Sequence, residues 1–148
     1  MASSSKRPIS PHLQIWRWGP AMAISILHRV TGTGLATFGL GILLWWLSAL
    51  ASGPAAYASF TGWVWADLTA LDWSGFLAIV SSLVRIALKV LMIGLSWSAF
   101  QHLLSGLRHF VLDIGAGYDV DSNNRWSVVL PVIAILLTAS FWAALLLR

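Results

Sequence analysis

Three long apolar runs limit what this chain can become. Residues 30–50, 90–107 and 127–147 each approach the ~20 residues that a helix needs to cross a hydrocarbon layer. The middle run is free of formal charge between Lys89 and Arg108. No run alternates with period two, so a membrane β-barrel is disfavoured. The chain therefore reads as a single all-α integral membrane domain over residues 1–148, with an N-terminal segment at 1–24 and spans near 25–50, 76–112 and 127–147. Pro131 is expected in the first turn or so of the third helix, where a missing N–H is tolerated.

Composition agrees. Hydrophobic residues make up 58% and charged residues 9%, against about 25% charge in a soluble domain. The net charge of +4 comes from 9 Lys plus Arg and 5 Asp. These cations are few and form no stripe, so nucleic acid is not an expected partner. The chain has no Cys, which excludes thiolate catalysis, disulfides and cysteine-ligated clusters within it.

The connections carry their own signals. Residues 51–75 hold SGP, Trp63, Trp65 and Trp73 but no Lys or Arg, as suits an interfacial aromatic belt. Residues 115–125, GAGYDVDSNNR, read as a turn-rich loop. Lys6, Arg7, Arg17, Arg29, Arg108 and Arg125 fall on one side of a three-span arrangement. Arg85, Lys89 and Arg148 fall on the other. The positive-inside rule then places the N-terminus in the cytoplasm. Arg85 and Lys89 run against that trend and are expected to snorkel to the outer interface. A cleaved signal peptide is disfavoured, because the first run exceeds the about 7–15 residues of a signal core.

The stretch FQHLLSGLRHFVLD closes the second run and raises the functional question. Ionisable residues inside a membrane helix cost about 2.5–3.5 kcal/mol on insertion scales and usually face a cavity, a cofactor or a partner. With Lys89 and Arg108 as interface markers, His102 lies roughly 5 Å to the cytoplasmic side of the midplane. His109 lies at headgroup level, on the same helical face, about 10 Å along the axis. Ser105 and Gly106 lie between them, and Gly106 would let a flat ligand approach the backbone. A haem standing on edge, with its iron on His102 and its propionates near Arg108 and His109, fits this spacing. Packing and a proton relay fit it too. The first and third spans hold no membrane-embedded histidine and His28 is read as lying at the wrong end of its helix to reach mid-membrane, so a second axial ligand would have to come from another chain.

A second constellation is SILHRVTG, residues 25–32. Ser25 and Arg29 lie four apart on one face, where a hydroxyl and a guanidinium could hold quinone oxygens or a propionate. The alternative is an interfacial arginine reaching for lipid phosphate. Beyond it, Gly32 with Ala36 and Thr37 with Gly41 form small-xxx-small pairs that favour close helix packing.

Taken in order, RPISPHLQIWRW, SILHRVTG and HLLSGLRHFVLD resemble the large cytochrome b anchor subunit of succinate dehydrogenase, respiratory complex II, in its alphaproteobacterial and mitochondrial branch. Trp16 stands where that family usually has Tyr. The resemblance implies a three-helix anchor bundled with a second small three-helix anchor subunit. Together they would seat an iron–sulfur subunit and an FAD-bearing flavoprotein subunit in the bacterial inner membrane. It implies haem b with His102 as one axial ligand and a partner histidine as the other. Ser25 and Arg29 would contribute to a ubiquinone pocket, and His28, Arg29, Arg108 and His109 are candidate propionate contacts. RPISPHLQIW would lie extended beneath the iron–sulfur subunit. The implied activity is electron transfer from succinate to ubiquinone by the whole complex, this chain being a non-flavin subunit that is not catalytic alone. A haem-less structural anchor, or the anchor of a fumarate reductase working in reverse, are the alternatives.

Overall fold

The computed structural model describes residues 17–147, so RPISPHLQIW, with the packing expected of it, lies outside the described residues. Four helices follow. Helix α1 is Pro20–Ala51, α2 is Pro54–Val64, α3 is Phe76–Asp113 and α4 is Val120–Leu146. Helices α1, α3 and α4 are long and apolar enough to cross a membrane. No strand occurs among the described residues.

Local chemistry sets the helix ends. Pro20 starts α1 in the first turn, where its lost N–H would be unpaired anyway. Pro54 starts α2 in the same way, directly after Gly53, whose φ of 100° reverses the chain. At the far end of α3, Gly115 adopts φ 82°. There Gly115 N–H donates to Leu112 O at 2.9 Å and Ala116 N–H to Val111 O at 3.2 Å, closing the helix in a Schellman arrangement.

Two loop readings change. Residues 51–75 contain the short helix α2 as well as the aromatic belt, and Phe60 and Val64 of α2 pack with Ala49 of α1 and with Met92 of α3. The expected loop at 115–125 ends early, because Asp119 caps α4: its carboxylate accepts from Ser122 N–H at 3.0 Å. The helix thus begins at Val120, and Pro131 lies in its interior instead of its first turn.

Helices α1, α3 and α4 pack pairwise, and α2 lies against α1 and α3. Polarity is inverted relative to a water-soluble bundle. Large apolar side chains such as Leu43, Val90 and Val132 are exposed, while Thr31, Ser82, Gln101, Ser105, Ser127 and Thr138 are buried. That is the pattern expected where lipid is the solvent and small polar groups join helices. Most of these hydroxyls satisfy themselves on the preceding turn, as Ser105 does on Gln101 O at 2.7 Å and Thr138 on Ala134 O at 2.7 Å. Inside α1, residues Leu35–Gly39 form one π-helical turn.

The two cations of α3 that oppose the charge trend have partners. The Arg85 guanidinium lies 5.3 Å from the Trp63 ring centroid. The Lys89 ammonium lies 5.8 Å from that of Trp65. Cation–π contact of this kind offsets part of the cost of holding charge at the end of a membrane span.

Candidate functional site

Three histidines and two hydroxyls meet where α1 crosses α3. His28 and His102 stack face to face, with ring centroids 4.0 Å apart and planes 9° from parallel. His109 packs edge-on to His28 at 5.0 Å. His28 Nδ1 and the buried Ser105 hydroxyl are 2.7 Å apart. His102 Nδ1 lies 3.1 Å from the carbonyl oxygen of His28 and 3.4 Å from Thr31 Oγ1.

His28 and His102 thus lie at one level, a pairing that the sequence reading did not draw. The sequence reading measured His102 from the membrane midplane and His28 from its helix end. Measured from the shared end of the bundle, His28 is about 12 Å into α1 and His102 about 16 Å from the end of α3. Antiparallel helices bring the two to one level. Counting turns from the same interface on both helices is the sequence signal that would have found the pair.

The hydrogen bonds fix the chemistry of His102. A carbonyl oxygen only accepts, so the short contact with His28 O makes Nδ1 the protonated nitrogen. The Nε2 lone pair is then free to bind a metal, with the second partner orienting the ring as in metal-ligating histidines generally. Gly32 makes room for it: a Cβ there would lie 2.7 Å from His102 Cε1. At Gly106 a Cβ would make ordinary contact with His28 Cε1 at 3.7 Å. Among the described residues no group of three or more His, Asp, Glu or Cys side chains could hold a metal ion.

The other expected residues divide. Ser25 is half-buried and Arg29 exposed, one turn of α1 apart. Arg108 is not drawn to the imidazoles. It turns toward α4, where Nη2 donates to Asn123 Oδ1. The sequence reading missed Gln101, which is fully buried with neither amide atom hydrogen-bonded among the described residues.

Fold and site together define a membrane protein with three helices long enough to span, in which His28, Thr31 and Ser105 surround an oriented imidazole. The chain belongs to the succinate dehydrogenase/fumarate reductase transmembrane subunit family, whose profile matches residues 3–141. Among similar proteins, the succinate dehydrogenase cytochrome b556 subunit of Paracoccus denitrificans is 33% identical over 137 residues, covering 88% of this chain and 90% of that one. The corresponding subunit of Rickettsia felis is 34% identical, covering 93% and 92%. The mitochondrial cytochrome b560 subunit of Mus musculus is 34% identical, covering 90% and 69%.

Proposed function

We propose that this chain is the haem b-bearing membrane anchor of a succinate:quinone oxidoreductase. The observation that carries this reading is the His102 Nδ1 contact with the His28 carbonyl at 3.1 Å, which leaves Nε2 as a ligand. His102 would hold the iron from this chain, and a histidine of a second anchor subunit would complete the axial pair. Haem b would supply reversible one-electron chemistry there when bound.

The chain's own residues do the rest. The His28 carbonyl and Thr31 orient the imidazole, and Gly32 keeps its edge clear. His102 itself is half-buried between α1 and α3, beside the buried Thr31 and Ser105. His28, Arg29 and His109 would be the propionate contacts from this chain, and Arg108, also expected there, is engaged with Asn123. Ser25 and Arg29, at the entry of α1, would hold quinone carbonyl oxygens and stabilise negative charge as it develops there. An exposed Arg29 is the placement expected if an iron–sulfur subunit completes the pocket over it.

On this reading the N-terminus faces the cytoplasm of a bacterium, with the flavoprotein and iron–sulfur subunits on that side. Affinity purification of the tagged chain from native membranes tests it. Copurification of an FAD-bearing subunit and an iron–sulfur subunit, with about one haem b per complex by pyridine haemochrome, is the expected result. Copurification of both without haem would favour the haem-less anchor. Copurification of neither would overturn the assignment.

A further inference from the structure

A cavity of about 240 Å³ opens between α3 and α4 at the end of the bundle that holds the Gly115–Asp119 turn. Its walls are Leu104, Leu107, Val111 and Leu130, with Trp126 beside them. Two polar side chains enter it, Arg108 and Asn123. The cavity is distinct from the imidazole cluster, which faces α1.

Arg108 sets the chemistry. Its Nη2 donates to Asn123 Oδ1, an amide oxygen that carries no charge. Its Nε is buried without a hydrogen-bond partner, and no carboxylate among the described residues pairs with it. A part-buried cation in an apolar wall is costly unless an anion joins it. Asn123 holds the guanidinium in one orientation, so the fork is preset for an oxyanion. Depth sets the rest. Arg108 lies five residues from the end of α3, about 8 Å, and Trp126 is 57% exposed, as an aromatic at the headgroup boundary would be.

We propose that this cavity binds an anionic phospholipid of the adjoining leaflet, with its phosphate on Arg108 and one acyl chain along Leu104, Leu107, Val111 and Leu130. The volume suits a segment of one alkyl chain, not a whole lipid. Basic pockets between membrane helices recognise acidic headgroups in this way.

The test is native mass spectrometry of the complex purified with its partner subunits and exchanged into nanodiscs of phosphatidylcholine containing a minority of phosphatidylglycerol. Wild-type complex should retain phosphatidylglycerol well above its bulk share after delipidation. Arg108→Gln should cut that retention at least fivefold. Val111→Trp, which fills the alkyl wall and keeps the cation, should do the same. If either variant fails to assemble, the wild-type enrichment still decides. Retention at the bulk ratio, or unchanged retention in an assembled Arg108→Gln complex, overturns the proposal. So does efficient crosslinking from a photoreactive group at position 111 to a protein subunit instead of lipid.

Discussion

His28 and His102 lie with their imidazole planes 9° from parallel and 4.0 Å apart, one from each of two antiparallel membrane helices. The backbone of His28 orients His102, while its ring is tied to Ser105 at 2.7 Å. The two halves of the site are therefore mutually positioned. A change on α1 can thus displace the candidate iron ligand on α3.

Gly32→Ala should demonstrate this. The added Cβ would fall 2.7 Å from His102 Cε1, so the ring must move or the helices part. Haem content of the purified complex is expected to fall severalfold. Gly34→Ala is the control, since nothing lies within 4 Å of its Cβ position, and should leave haem content at the wild-type level. Equal haem in both variants would contradict the placement of Gly32.

Ser105→Ala removes the hydroxyl that faces His28 Nδ1. Interhelical hydrogen bonds in membranes are worth about 0.6–2 kcal/mol, so the loss should lower the thermal midpoint of the complex without dissociating it. A differential scanning measurement checks this. An unchanged midpoint would mean that the contact contributes nothing net.

Arg29→Ala bears on the quinone pocket. A hydrogen bond to a charged group contributes about 1.5–3 kcal/mol, and each 1.4 kcal/mol is about tenfold. Quinone reductase activity should therefore fall about tenfold to a hundredfold. Succinate oxidation with a soluble artificial acceptor should persist. Equal loss of both activities would indicate failed assembly instead.

The start of α4 should respond to acid. Hydrogen bonds from the Ser122 backbone N–H and hydroxyl hold the Asp119 carboxyl below its ordinary range. A group with a depressed folded pKa contributes stability above the unfolded value, near 3.9, and loses it as pH falls through the folded value. Amide protection at Ser122 should be full at neutral pH and decline below about pH 4. Asp119→Asn keeps a cap without the proton, so hydrogen exchange there should lose this pH dependence.

Much of this was legible in the sequence, and the exceptions have physical causes. Three spans follow from apolar length, a property that lipid rewards directly. Helix α2 was hidden because its eleven residues mix small, aromatic and hydroxyl side chains, and only Pro54 after Gly53 marks its start. The true start of α4 was hidden because Asp, Ser and Asn favour caps and turns alike. His102 stood out because an ionisable group in an apolar run is costly. Its pairing with His28 did not stand out, because helix register across a bundle depends on where both helices meet the interface. Arg108 stood out as the cation closing the second run, but which neighbour it faces depended on Asn123, in a segment read as loop.

The most direct measurement is a reduced-minus-oxidised absorption spectrum of the purified complex, recorded for wild type, His102→Ala and His109→Ala. Wild type and His109→Ala should give a b-type α-band, and an assembled His102→Ala complex should have lost it or show it severely perturbed. A normal band in assembled His102→Ala, or none in wild type, would contradict the central claim that His102 binds the iron.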